Sequence, residues 1–105
     1  MNNSTERIKR DQFNGMDSIQ IYGAFDFSDD RFVTIAVEII KDGKTDLVID
    51  FKYTTYITST GIAQIVKIYK KIQTAQGRLF VANATDDMIS LIRLARLDKY
   101  VQFIA

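Results

Sequence analysis

The first part of the chain carries the pattern of two paired β-strands. Residues 7–13 alternate weakly between apolar and polar positions, and residues 17–23 alternate cleanly. Asn14 and Gly15 stand between them, and this dipeptide favours a tight turn because both residues tolerate a positive φ. We therefore predict an antiparallel hairpin formed by residues 7–13 and 17–23.

Three later segments place apolar residues at helical spacing. This periodicity predicts helices at about 29–41, 60–76 and 86–96. Each predicted helix follows hydroxyl or carboxylate residues, which can cap the free N–H groups of a first turn. These residues are Ser28 with Asp29 and Asp30 for the first helix, Ser59 or Thr60 for the second, and Thr85 with Asp86 and Asp87 for the third.

Short apolar runs separate the helices. Residues 47–49 and 79–81 are apolar throughout, as in strands that are buried on both faces, and residues 100–103 can form a last strand. The predicted order is β-β-α-β-α-β-α-β, whose crossovers bring the later strands into parallel pairing. We predict one α/β domain over residues 1–105, with a mixed, mostly parallel β-sheet, an N-terminal antiparallel hairpin, three main helices and a frayed segment at residues 1–6.

Composition narrows the possible chemistry. The 105 residues include no cysteine and no histidine, and the formal net charge is +1. The chain therefore lacks thiolate ligands, the commonest metal ligand and the usual general base at neutral pH, so we expect no catalysis, metal or cofactor. A near-neutral charge gives no reason to expect direct nucleic-acid binding. No apolar run approaches the ~20 residues that span a bilayer, and we expect a soluble cytoplasmic domain without membrane insertion.

One edge of the predicted sheet is the best place for a functional surface. In a parallel sheet the strand-to-helix loops emerge at one edge, where open α/β sheets generally bind their ligands. Here these loops span residues 26–30, 51–59 and 83–86, and each leads to a helix start. The edge therefore collects hydroxyls, carboxylates and free backbone donors.

Residues 58–62, Thr-Ser-Thr-Gly-Ile, are the most informative part of that edge. One interpretation is structural, in which the hydroxyls cap the helix and Gly61 permits close packing. The other is functional, because a serine at a helix N-terminus is a good phosphoacceptor: the dipole and the free N–H groups stabilise the added dianion. The residues alone leave both interpretations open.

Two other features have plainer interpretations. Asp50 closes an apolar strand and could be the phosphoacceptor of a receiver domain, but such an aspartate is usually followed by a proline-containing loop and this chain has no proline. Lys67, Lys70 and Lys71 share one helix face. That pattern favours a solvated surface over a nucleic-acid or membrane patch.

Five segments occur in a familiar order, from about residue 17 to the C-terminus. They are Gly23 to Asp26, Leu47 to Phe51, Tyr56 to Ile62, Gly77 to Asn83, and Leu91 to Asp98. Together they resemble the STAS domain, which anti-sigma factor antagonists share with sulphate transporters. The resemblance fills nearly the whole chain and agrees with the element order predicted above.

The resemblance implies a role in bacterial partner switching, in which protein docking regulates transcription. Anti-sigma factor antagonists bind a serine-kinase anti-sigma factor with a GHKL-type ATPase fold and displace its sigma factor. The kinase phosphorylates the antagonist, the phosphoprotein dissociates, and a serine phosphatase resets it. By position the phosphorylated serine is Ser59, with Thr60 as the fallback. The implied partner-binding residues are Asp26, Ser28, Asp29, Asp50, Thr58, Ser59, Thr60 and Gly61, on a monomer or weak dimer.

The sequence departs from the family motif at two positions. Thr58 stands where the family has aspartate, and Ala24 stands where it often has glutamate. The first change removes a charge beside Ser59 and bears on recognition by the kinase. The main alternative function is a STAS scaffold that is not phosphorylated, such as a small cytoplasmic subunit of a lipid-trafficking ABC transporter.

Overall fold

Strands and helices alternate along residues 7–104, the part of the chain that the computed structural model describes. The predicted frayed segment at residues 1–6 lies outside these residues. The elements are β1 (Ile8–Phe13), β2 (Met16–Ile21), β3 (Gly23–Phe25), α1 (Arg31–Lys41), β4 (Asp46–Asp50), β5 (Thr54–Ile57), α2 (Ser59–Thr74), β6 (Arg78–Ala82), α3 (Asp86–Leu94) and β7 (Gln102–Ile104).

The main sheet confirms the predicted mixed architecture. Its five strands lie in the order β1-β2-β4-β6-β7. β1 and β2 are antiparallel, with Phe13 opposite Met16 across the turn, and the other pairs are parallel. Asn14 and Gly15 form the turn with φ values of 51° and 84°. The hairpin prediction is therefore confirmed, with strands slightly shorter than expected.

A second sheet was not predicted. It contains two parallel strands, β3 and β5. β3 meets the predicted strand 17–23 only at Gly23, and β5 lies in the segment 51–59 that the sequence assigned to a loop. Gly23 has a φ of 85°, and this left-handed conformation separates β3 from the end of β2. The Thr54 hydroxyl donates a hydrogen bond of 2.8 Å to the Ile21 carbonyl and joins the small sheet to the main one. Tyr22 and Tyr53 stack at its start with ring centroids 4.8 Å apart.

The core lies mainly on one face of the large sheet. All three helices contribute buried residues to it, including Phe32 of α1, Ile68 of α2 and Ile92 of α3. The opposite face has a smaller cluster around Val48 and Phe80, built from strand residues alone within the described chain. The apolar runs of β4 and β6 are thus buried on both faces of the sheet as predicted, but helices cover only one of the two faces.

The helices begin and end near the predicted positions, with one correction. α1 begins at Arg31 instead of residue 29, and its N-cap is Asp30, whose side chain makes no capping hydrogen bond. Ser28 therefore does not cap this helix, because the Asp29 carboxylate accepts a hydrogen bond from the Arg31 N–H instead. α2 and α3 are two residues shorter at their C-terminal ends than predicted, and the last strand is displaced to residues 102–104.

Candidate functional site

The start of α2 is fixed by its own residues and by one backbone carbonyl of β3. Thr58 is the N-cap, and its hydroxyl accepts a 3.3 Å hydrogen bond from the Gly61 N–H. The same hydroxyl donates to the Phe25 carbonyl at 3.4 Å, and the Thr58 N–H donates to that carbonyl at 3.2 Å. The helix start is thereby attached to the end of β3.

Gly61 is required by this close approach. A Cβ atom at position 61 would lie 2.3 Å from the Phe25 carbonyl oxygen, well inside contact distance, and 3.0 Å from an Ile57 methyl group. The obstacle is backbone, so it cannot turn away as a side chain could. Gly61 therefore has a structural role, as the first of the two sequence interpretations proposed.

Ser59 is the exposed hydroxyl of this segment. It is the first residue of α2, and within residues 7–104 its hydroxyl contacts no hydrogen-bond partner. Thr58 is committed to its cap and to Phe25, and Thr60 is half-buried. A phosphoryl group placed on Ser59 would meet the positive end of the helix dipole and the free N–H groups of the first turn.

The carboxylates of the 26–30 loop are each accompanied by a cation. Asp26 lies 3.5 Å from Arg7, Asp29 lies 3.1 Å from Arg31, and Asp30 lies 3.8 Å from Lys67. Hydrogen bonds from the Arg31 guanidinium hold the pKa of Asp29 below its usual value, and the Arg31 N–H adds to the effect. This edge is therefore less negative than its aspartates alone suggest.

Two arginines hold the same loop through an aromatic ring that sequence reasoning missed. Phe27 is buried, with the Arg7 guanidinium 4.7 Å from its ring centroid and the Arg31 guanidinium 5.0 Å from it. Arg7 also donates hydrogen bonds to the carbonyls of Tyr22 and Ala24. The contacts of Arg7 join residues at least 15 positions apart in the chain, so no local pattern indicates them.

Gln64 connects α2 to the loop and was also missed. Its side chain is 2% exposed, and its Nε2 donates to the carbonyls of Phe27 at 3.1 Å and Asp29 at 3.3 Å. Its Oε1 is buried without a hydrogen-bond partner among the described residues. A signal was present in the sequence, because Gln64 lies one turn from Gly61 and Ile68 on the apolar face of α2.

The remaining predicted site residues have different environments. Asp50 is only 3% exposed, and its carboxylate accepts hydrogen bonds from the Lys52 N–H at 3.0 Å and the Asn83 side chain at 2.9 Å. It braces the ends of β4 and β6 from below the surface. Ser28 is exposed in the loop before α1. The loops thus bring the predicted residues to one edge, with Asp50 beneath it.

Metal binding and membrane crossing find no support in the described residues. Across residues 7–104 no three acidic, histidine or cysteine side chains are grouped so that they could hold a metal ion. No helix in that part of the chain is both long enough and apolar enough to pass through a bilayer. What the edge offers is hydroxyls, paired charges and a helix N-terminus.

The element order and the mixed sheet define the fold class of the described chain as α/β. The model of the STAS domain family matches residues 9–105, so the chain belongs to that family. The resemblance inferred from the sequence motifs is confirmed, together with the fold class it implied. No curated protein matches the chain significantly.

Solved structures of anti-sigma factor antagonists share the fold. The unphosphorylated form of the antagonist SpoIIAA aligns with a TM-score of 0.72 at 13% identity, covering 93% of this chain and 87% of its own. An antagonist from Mycobacterium paratuberculosis gives 0.74 at 20% identity, with coverages of 91% and 82%. The phosphorylated Bacillus cell fate determinant SpoIIAA gives 0.65 at 13% identity, with coverages of 93% and 91%.

Proposed function

We propose that this chain is an anti-sigma factor antagonist that binds a serine-kinase anti-sigma factor and is released by phosphorylation of Ser59. The docking surface is the edge that carries Asp26, Ser28, Asp29 and residues 58–61, supported from beneath by Asp50. Membership of the STAS family and the shared fold with anti-sigma factor antagonists support this proposal. One of those antagonists is known in both unphosphorylated and phosphorylated forms.

The observation that carries the proposal is the state of the three hydroxyls at the start of α2. Thr58 uses its hydroxyl to cap the helix and to contact Phe25, so it is committed to the fold. Ser59 is exposed and makes no such contact within the described chain. A kinase could therefore modify Ser59 without breaking a hydrogen bond of the native domain, and Thr60, half-buried, is the second choice.

Electrostatics would convert phosphorylation into release. Phosphorylation adds about −1.5 to −2 charges at pH 7. The nearby aspartates are paired with Arg7, Arg31 and Lys67, so the added dianion would turn a charge-balanced surface negative. Like charges placed together across an interface cost several kcal/mol, and about 1.4 kcal/mol corresponds to a tenfold change in affinity. The helix N-terminus would stabilise the same dianion within the folded domain.

Thr58 does not remove the capping function that an aspartate would provide. Threonine and aspartate both cap helices, and here the Thr58 hydroxyl accepts the Gly61 N–H. The difference is the missing negative charge beside Ser59. We therefore assign Thr58 to kinase specificity, and we expect Thr58→Asp to raise the rate at which a partner kinase phosphorylates Ser59.

The proposal also names the partners and the compartment. The kinase, with a GHKL-type ATPase fold, supplies the ATP and the catalytic groups, and a serine phosphatase removes the phosphate. The chain itself contributes neither nucleotide hydrolysis nor a cofactor. It acts in the cytoplasm as a monomer or weak dimer.

Affinity capture from the source cells tests the proposal. We expect the wild type and Ser59→Ala to retain a kinase-fold protein, and Ser59→Asp to lose it by about 10-fold or more while its unfolding midpoint stays unchanged. Gln73→Asp is the matched control, because Gln73 is an exposed residue near the C-terminal end of α2, far along the helix from Ser59, and gains the same charge. Mass spectrometry should place phosphate on Ser59.

Two results would contradict the proposal. One is equal capture by Ser59→Asp and the wild type, with no phosphate on Ser59 or Thr60 in cells. The other is capture of transporter ATPase subunits in place of a kinase, which would favour the unphosphorylated scaffold.

A further inference from the structure

The structure contains a groove whose lining includes none of the residues of the docking surface proposed above. It lies between β5 and α3 and has a volume of about 640 Å³. Its walls are mainly apolar or hydroxyl side chains, with Ile57 and Met88 at its base. The lining residues are Thr55, Tyr56, Ile57, Thr85, Asp87, Met88, Ser90, Leu91 and Leu94. Tyr56 is 55% exposed and Leu94 is 81% exposed, which leaves two large apolar side chains open to solvent.

The groove follows the edge of β5. Three consecutive residues, Thr55 to Ile57, line it. β5 is irregular here, because Gly23 lies opposite Thr54 and Ala24 lies opposite Tyr56, which leaves Thr55 without an opposite residue in β3. Among residues 7–104, β5 pairs with β3 alone in a two-stranded sheet, so its other edge has no strand partner in that part of the chain.

Two of the other three outer edges of the described sheets carry charges that discourage pairing, whereas the third, β7, is a three-residue strand, Gln-Phe-Ile, without a charge. β1, at one side of the main sheet, has the exposed charged residues Lys9, Arg10 and Asp11. The outer side of β3 is approached by the Arg7 side chain, which donates a hydrogen bond to the Ala24 carbonyl. Charges on an edge are a common means of preventing strand addition. β5 reads Thr-Thr-Tyr-Ile, with high strand propensity, no charge and no proline.

Charge indicates what the groove would accept. Asp87 is the only charged side chain among the lining residues of the described chain, and Asp86 precedes it in the first turn of α3. No lysine or arginine lines the groove. A ligand with a positive charge near the α3 N-terminus and apolar side chains toward Leu91 and Leu94 is complementary to these walls.

We propose that the groove binds an extended, basic segment of a partner protein, which adds a third strand to the β3–β5 sheet. Main-chain hydrogen bonds to the edge of β5 provide affinity in this mode, and alternate side chains provide selectivity. Apolar side chains of the segment pack on Tyr56, Leu91 and Leu94, and a lysine or arginine pairs with Asp87. The proposal requires neither the kinase nor phosphate on Ser59, so it can fail or succeed separately from the switch.

A displayed library of random linear peptides, selected against the folded protein, tests the proposal. We expect enriched peptides to alternate apolar and polar residues and to carry lysine or arginine. Leu94→Asp and Asp87→Lys should each weaken the best synthetic peptide by about 10-fold. Tyr56→Ser should weaken the same peptide too. Tyr53→Ser is its matched control and should not, because Tyr53 is similarly exposed, at 45%, but does not line the groove.

Backbone methylation of the same peptide separates strand addition from other binding. One set of alternate N–H groups of an added strand bonds to β5, and the other set faces away. Methylating the first set should weaken binding by about 10-fold or more, whereas methylating the second should change it less than about twofold.

Three outcomes would overturn the proposal. The first is that the enriched peptides are neither basic nor alternating. The second is that both methylated sets bind equally, or that Leu94→Asp and Asp87→Lys have no effect. The third is a concentration-dependent dimer that Leu94→Asp dissociates, which would make a second copy of this chain the occupant.

Discussion

Two helix starts at the same edge of the molecule are held in different ways. α2 begins at a threonine cap in extended conformation, whose hydroxyl and N–H both contact the neighbouring strand. α1 begins at Asp30, whose side chain makes no cap, and the loop before it is held by Arg7, Phe27 and Gln64. The first start thus combines a cap within its own segment with an attachment to β3, whereas at the second the Asp30 side chain provides no cap and the Asp29 carboxylate accepts the Arg31 N–H. Ser59 therefore follows a residue that is held both by the Gly61 N–H and by the Phe25 carbonyl.

The largest expected effect on stability comes from Gly61→Ala, which disrupts the contact between the start of α2 and the end of β3. The new Cβ would meet the Phe25 carbonyl oxygen at 2.3 Å, so backbone must move. Such overpacking costs up to about 3 kcal/mol, and a loss of that size lowers the unfolding midpoint of a domain this small by roughly 15 °C. Thermal unfolding followed by circular dichroism measures it.

Gly15→Ala is the control for that substitution. Gly15 has a φ of 84° but open space around its Cβ position, so the change tests conformational strain without a clash. We expect a loss of about 1 kcal/mol there. If the two variants are destabilised equally, the close approach of α2 to β3 is not what requires Gly61.

An intermediate effect on stability is expected from Gln64→Met, which removes hydrogen bonds to the loop before α1. Methionine fills a similar volume but cannot donate to the Phe27 and Asp29 carbonyls. The lost hydrogen bonds cost about 1–2 kcal/mol, reduced because the unpaired Oε1 also disappears. Amide hydrogen exchange in residues 26–30 should accelerate several-fold, while amides at the start of α2 stay protected. Gln73→Met, at an exposed position of α2, should leave both regions unchanged.

The smallest effects compare the two caps directly. Thr58→Ala removes a capping hydroxyl and should destabilise the domain by about 1 kcal/mol. Asp30→Ala removes only an ion pair of 3.8 Å with Lys67, between two exposed side chains, and should change stability by less than about 0.5 kcal/mol. Urea unfolding of both variants measures the difference. Equal losses would show that the two helix starts are held alike.

The same contrast explains what could be predicted from the sequence. The hairpin followed from Asn14 and Gly15, and the start of α2 followed from the hydroxyls before its apolar face, because these signals lie within a few residues of the structure they specify. The Thr85 cap of α3 is of the same kind, since its hydroxyl accepts the Met88 N–H. The STAS motifs agreed with the order of elements that periodicity had predicted, and they implied Ser59 as the phosphorylated serine.

The rest required contacts between residues far apart in the chain. β3 and β5 have three and four residues, too few to show a strand period, and each is stabilised mainly by the other. The pairing of Asp26 with Arg7 joins residues 19 positions apart in the chain, so the charge balance of the edge was not visible in the sequence. The sequence assigned Ser28, together with the aspartates that follow it, to the cap of α1. In the structure the Asp29 carboxylate accepts hydrogen bonds from the N–H and the guanidinium of Arg31 instead.

The stacked pair of Tyr22 and Tyr53 has a consequence for spectroscopy. The chain contains five tyrosines and no tryptophan, so its intrinsic fluorescence and near-ultraviolet absorbance arise from tyrosine almost entirely. Tyr22 lies against Tyr53 and Tyr69 against Tyr100, which leaves Tyr56 as the residue without a ring neighbour in the described chain. Two coupled chromophore pairs and one isolated ring thus report on different parts of the molecule.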